Sequence, residues 1–341
     1  MKGVVLKDKR NLGVEDLDDP ISQNGSVILS VKRAGICGSD IHYWEDGRPK
    51  GLILGHEYSG VIIDPGARSD LKEGDRVTAL PLSPCGICQA CRTGNLQYCL
   101  QTWDYATGLS LTNPGALASK LSVRADMVIK VPDEVSDEEA AMTEPMAVAL
   151  HAIHLANIKV GEKVLIIGGG VIGLACAMFA KKEGASFVGL SEINSARGQK
   201  AIELLDVDKW YDAKDEKFID KVRADTIDGY DLVIDCSGND AAVTSALIST
   251  RPGGTVILVG VSTNPITLPT VVAVMHELKV KGAIAYTKEE FQTCIDLMAK
   301  KQIDVLKFLS KTVGLSEVQA SYEELTSGKS AAIKILVDPN K

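Results

Sequence analysis

The sequence predicts an α/β protein in which a doubly wound parallel sheet is joined to a β-rich, loop-rich part. Two observations carry this. From about residue 150 onward, apolar strand-like runs alternate with helical stretches, and repeated β-α units imply a parallel sheet with helices on both faces. Before about residue 140, short apolar runs such as SVILSVKRAG, YSGVIID and DRVTAL are broken by Gly, Pro and Asp, as strands and turns should be. A length of 341 residues fits about two domains.

The elements follow in order. Pro132 closes a strand, and Ser136 with Glu139 three residues later resembles a capping box that opens a helix. Strands are then predicted at Lys163–Ile167, Ser186–Leu190, Lys209–Tyr211, Asp231–Asp235, Thr255–Val259 and Lys279–Ile284. Helices lie between several of them, for example Val171–Glu183 and Ser195–Leu205. Six strands suffice for two mononucleotide-binding halves. From about Thr287 the tail returns to helix-loop-helix and ends on the strand-like AAIKILV. No repeat or low-complexity segment interrupts the chain.

Apolar residues make up 45% and charged residues 24%, ordinary values for a globular protein. A chain of this length buries a sizeable core without disulfide staples. The net charge of -8 and pI of about 5.3 argue against a nucleic-acid partner. MKGVVLKDKRNLGVEDLDDP has no apolar core of signal-peptide length, and no uncharged apolar stretch approaches membrane-spanning length. The expectation is a cytoplasmic protein with no membrane partner. Four of the eight cysteines fall between positions 85 and 99. In a reducing compartment such clustering suggests metal before disulfide.

Cys85, Cys88, Cys91 and Cys99 form C-x2-C-x2-C-x7-C. Zinc takes four thiolates tetrahedrally, and short turns let neighbouring sulfurs face one ion. Such a site is closed, so its expected role is structural. An iron–sulfur run would end C-x3-C-P, and here the last gap is seven residues with no following Pro.

A second constellation is spread over GICGSDIH, GHE and TEP. Cys37, His56 and a carboxylate supply mixed S, N and O ligands, and catalytic zinc characteristically keeps three protein ligands and one open position. Each residue alone is weak. The specificity lies in GICGSD and GHE occurring together, upstream of the cysteine loop and a nucleotide fold.

Across essentially its whole length the chain resembles the zinc-dependent medium-chain dehydrogenases, especially their sorbitol (polyol) branch. The resemblance is carried by GICGSDIHYW, LGHEYSG, CGICQAC, EPMAVALHA, GGGVIG, LVG and KGAIAYT. It implies that Cys37 and His56 bind a catalytic zinc and that Glu57 and Glu144 are the carboxylates of that site, one direct and one acting through water. It also implies that Asp40 orients the imidazole of His56, although GSD is also good turn chemistry. Ser39 and His42 match a proton relay, and Tyr43, Trp44 and Tyr286 are candidates to line the substrate cleft.

Gly168, Gly170 and Gly173 give G-x-G-x-x-G, with Val171 and Ile172 opening a helix. The preceding KVLII and following VIGLACAMFA supply the strand-turn-helix context of a dinucleotide site. The helix N-terminus favours the pyrophosphate. Glu192 sits where a carboxylate accepts the ribose hydroxyls and repels a 2′-phosphate, which favours NAD. Arg197 is a basic residue compatible with some NADP use.

The expected chemistry is oxidation of an alcohol. Zinc acidifies the substrate hydroxyl, hydride passes to nicotinamide, and the proton leaves through the relay. His151 and His154 are expected in packing or capping, and Cys176, Cys236 and Cys294 as small buried apolar residues. Polyol members commonly carry Arg before the Tyr of KGAIAYT, but here that position is Ala285, so a bidentate donor is absent. Arg48 and Lys50 could meet a phosphate or be solvated. The PLSPCGICQAC stretch is similar to that of galactitol-1-phosphate dehydrogenases. The substrate readings are therefore a polyol, a sugar-alcohol phosphate, and a butanediol- or threonine-type or simple secondary alcohol. A non-enzymatic alternative is an NAD-binding structural or sensor relative.

The resemblance implies a GroES-like catalytic domain from residues 1–149 and 287–341, with its structural zinc loop at 84–100, and a Rossmann domain at 150–286. Zinc, nicotinamide and a small-molecule alcohol are expected between them. The resemblance also implies a homodimer or homotetramer, since such relatives usually associate in this way, often through the last Rossmann strand, here Lys279–Ile284.

Overall fold

The computed structural model describes residues 1–205, 207–262 and 264–341. They form two units, Met1–Ala147 with Tyr286–Lys341, and Val148–Ala285.

The first unit is β-rich. Its larger sheet has seven strands. Along the main path lie Leu309–Gly314, Lys334–Asp338, Ser26–Gly35, Glu57–Asp64, Arg76–Ala79 and Val128–Lys130, with Lys120–Arg124 also pairing against Ser26–Gly35. Strand alternation sends Val27, Leu29 and Val31 into a core shared with Tyr58, Ile62, Val77 and Ile335. The central strand ends at Gly35, which lies opposite Glu57 on one neighbour and Leu336 on the other. The predicted capping box is present: Glu139 N–H donates to Ser136 Oγ at 3.2 Å, and Ser136 N–H donates to Glu139 Oε2 at 2.7 Å. This fixes the start of helix Asp137–Ala141.

The second unit is a six-stranded sheet in the spatial order Lys209–Asp212, Phe187–Glu192, Lys163–Ile167, Tyr230–Asp235, Thr250–Leu258, Lys279–Gly282. Every pairing is parallel. Chain order reverses between Lys163–Ile167 and Tyr230–Asp235, and the crevice beyond those strand ends is where such sheets take ligands. Lys163–Ile167 is nearly all buried, as a strand covered on both faces should be. The fifth strand begins at Thr250, earlier than predicted. The edge strand ends at Gly282, short of Ile284; two residues beyond Ala283, Ala285 turns to φ +47°, which breaks extended geometry. Among the described residues no helix is long and apolar enough to cross a membrane.

Candidate metal centres and nucleotide site

The first centre is set by helix Gly38–Asp46. Cys37 is its N-cap, and Gly47 at φ +76° closes it with its N–H on Tyr43 O. Asp40, one turn in, does two things. Its Oδ2 accepts the Cys37 N–H at 3.0 Å, and its Oδ1 lies 3.2 Å from His56 Nδ1. Asp40 is fully buried, so this contact orients the imidazole and leaves Nε2 for the site. Ser39 Oγ lies 3.5 Å from His56 Nε2 and 3.4 Å from Cys37 Sγ.

Cys37, His56 and Glu57 each present one ligand atom within 4.8 Å of the others. Burial opposes charge on His56, but Asp40 and Cys37 outweigh it and hold the imidazole well above its ordinary range. Glu57 is fully buried, and its Oε1 has no hydrogen-bond donor among the described residues. A buried carboxylate oxygen left in this way is costly without a partner, and a zinc ion is a fitting one. Glu144 lies outside the three-residue group. Its Oε1 accepts the Tyr286 hydroxyl at 2.9 Å, and burial pushes its pKa up to about 7.

One expectation is corrected here, and open alternatives are narrowed. Tyr286 is fully buried, so it anchors Glu144 rather than lining a substrate space. Trp44 is core: it stacks tilted on Tyr322 with centroids 5.7 Å apart and gives its indole N–H to Gln319. Tyr43 and His42 remain half-buried on the same helix. Lys50 is ion-paired with Asp8 at 2.6 Å, while Arg48 is exposed.

Sequence reasoning missed Lys334. It is buried on strand Lys334–Asp338, donates to Ile36 O at 2.9 Å and is ion-paired with Glu57 Oε2. Burial works against its charge, but Glu57 and Cys37 hold its pKa above the ordinary lysine range. The only signal available was a lysine inside the apolar run AAIKILV.

The second centre is the cysteine loop. Cys85, Cys88, Cys91 and Cys99 converge within 4.8 Å. The Cys88–Cys91 and Cys85–Cys91 sulfurs are 3.5 and 3.9 Å apart. A tetrahedron with Zn–S bonds of about 2.3 Å has edges of about 3.8 Å, so the donors fit zinc. Backbone N–H groups of Ile87 and Cys88 lower the Cys85 pKa to about 6, whereas burial and neighbouring thiols raise Cys91 to about 12.

In the second unit, Gly168 takes φ +102° at the turn after the first strand. A Cβ on Gly173 would lie 1.8 Å from Gly168 O, so the helix packs here only with glycine. The loop borders a cavity of about 300 Å³ lined by Gly168, Gly170, Glu192, Arg197, Cys236 and Ser237 among others. Val171 and Ile172 open the helix Val171–Lys182. Glu192 is buried. Its Oε2 accepts the Gly169 N–H at 2.7 Å and its Oε1 pairs with Arg197 at 3.0 Å. Cys176 and Cys294 are buried as expected, but Cys236 is only partly buried and lines the cavity. His151 is buried and His154 exposed; among the described residues neither joins a group that could hold a metal.

Comparison with known proteins agrees with both halves of the chain. Residues 23–133 match the alcohol dehydrogenase GroES-like domain, and residues 171–300 match the zinc-binding dehydrogenase family. The chain is 32% identical to D-xylulose reductase A of Aspergillus oryzae over 94% of this chain and 92% of that one. Its fold is similar to 2R,3R-butanediol dehydrogenase from Bacillus subtilis (TM-score 0.88, 27% identity, 99% of each chain). It is equally similar to galactitol-1-phosphate dehydrogenase from Escherichia coli (TM-score 0.88, 25% identity, 99% of this chain and 100% of that one). The chain belongs to the zinc-dependent medium-chain alcohol and polyol dehydrogenases.

Proposed function

We propose that this protein oxidises a secondary hydroxyl of a polyol to the ketone, with NAD as the preferred acceptor. The convergence of Cys37, His56 and Glu57 within 4.8 Å carries the reading, because three protein ligands of mixed type leave a position for substrate. When bound there, zinc supplies Lewis acidity that acidifies the substrate hydroxyl. Asp40 holds the His56 ring, and Ser39 Oγ beside His56 receives the hydroxyl proton and passes it toward His42. Glu144, fixed by Tyr286, is the outer carboxylate, and Glu57 is the ligand. Gly168, Gly170 and Gly173 would seat the dinucleotide and Glu192 would meet its ribose, and a nicotinamide held there would supply the hydride acceptor. Ala285 removes the bidentate donor a free sorbitol chain would use, so short polyols and diols are favoured. A xylulose-forming pentitol fits, as does the diol named for the butanediol enzyme. The test is NADH formation across free and phosphorylated alditols, diols and simple alcohols. No turnover of any of them overturns the reading.

We further propose self-association through Lys279–Gly282. All four residues of this edge strand are exposed, and Val271, Val274 and Met275 of the preceding helix are exposed too. An uncapped edge beside apolar side chains invites pairing with a second copy. Light scattering of Val280→Pro against wild type tests it, with loss of the oligomer expected.

A further inference from the structure

The Lys334–Glu57 pair is built, not incidental. The two residues ride on strands either side of Ser26–Gly35, and their long side chains meet across Gly35. A Cβ on Gly35 would lie 1.9 Å from Glu57 Oε2 and 3.0 Å from Lys334 Cε. The missing side chain is what admits the contact. Both partners are buried, at 1% and 0% exposure, so solvent screens the pair little. Lys334 is held from behind by Ile36 O at 2.9 Å, and Ile36 is the neighbour of the ligand Cys37.

A buried cation at this place has a consequence for any dication held by Cys37, His56 and Glu57. It occupies one oxygen of Glu57, which would leave only the other for an ion, and it would repel that ion through a medium of low effective dielectric. We propose that Lys334 is a positioning residue for the catalytic metal, competing for Glu57 so that the carboxylate remains a weak, exchangeable ligand and zinc is held less tightly than the donor set alone would hold it. This rests on the zinc reading above, and concerns its ligand strength rather than its substrate.

The test uses the purified zinc-loaded protein and a chromogenic chelator, with no substrate present. Release of zinc from the four-cysteine loop, far along the chain from Lys334, serves as the internal control. Lys334→Met is expected to slow release of the catalytic zinc by about tenfold or more, since removing one buried positive charge beside a dication strengthens its binding. Lys334→Arg, which keeps the charge, is expected to stay close to wild type. An unchanged or faster release in Lys334→Met overturns the proposal, as does an Arg variant that behaves like Met. Should Lys334→Met not fold, Glu57→Gln is compared with Glu57→Gln/Lys334→Met. Slower release from the double variant supports repulsion by Lys334, and equal rates overturn it. A protein that turns over no alcohol yet shows these release rates loses the functional reading and keeps this one.

Discussion

His56 Nδ1 and Asp40 Oδ1 lie 3.2 Å apart in a site where Asp40 is fully buried and His56 nearly so. Asp40 belongs to the first turn of the helix that Cys37 caps, so one residue fixes both the helix start and the imidazole. Replacing Asp40 with Asn keeps the shape and removes the charge. Roughly a 10- to 100-fold loss in affinity for the catalytic zinc is expected, measured by chelator competition. Equal affinity would show that the contact does not position His56.

Cys99→Ser tests the cysteine loop apart from the chemistry. Cys99 is buried and its sulfur accepts the Cys85 N–H at 3.3 Å. Zinc content should fall from about two to about one per chain, with a lower melting temperature and zinc kept at Cys37 and His56. Loss of both ions together would mean that the two centres are not independent.

Glu192→Ala removes the carboxylate that pairs with Arg197 and accepts the Gly169 N–H. KM for NAD should rise about tenfold while NADP use improves, because Arg197 is freed to meet a 2′-phosphate. An unchanged ratio of kcat/KM for the two cofactors contradicts the assignment.

Gly173→Ala places a methyl where Gly168 O already sits, 1.8 Å away. The turn must open, so dinucleotide binding should be lost and stability should fall by about 1–3 kcal/mol. NAD titration by fluorescence and a thermal melt check the two effects separately. Tight NAD binding by this variant would remove the close-packing argument for the loop.

Local pattern made much of this molecule legible. The parallel strands announced themselves as short apolar runs between helices, and Ser195–Leu205 has the predicted bounds. The cysteine loop could be read because its ligands are neighbours in sequence. Cys37 and His56 needed motif context, since they lie nineteen positions apart and no periodicity links them. Lys334 showed only as a lysine inside an apolar run, which names no partner. Its partner is nearly the whole chain away, and only the registry Leu336–Gly35–Glu57 brings the two together. Tyr286 was misplaced, and Trp44 left open between cleft and core, for a related reason. Both belong to recognisable motifs, but their partners Tyr322 and Glu144 come from distant elements that sequence spacing does not reveal.

The most direct measurement is NADH formation from a polyol before and after removal of zinc by a chelator. Activity should disappear when the ion at Cys37, His56 and Glu57 is withdrawn and return when zinc is restored, with Cys37→Ser inactive throughout. Full turnover by the zinc-free protein, or by Cys37→Ser, would contradict the account.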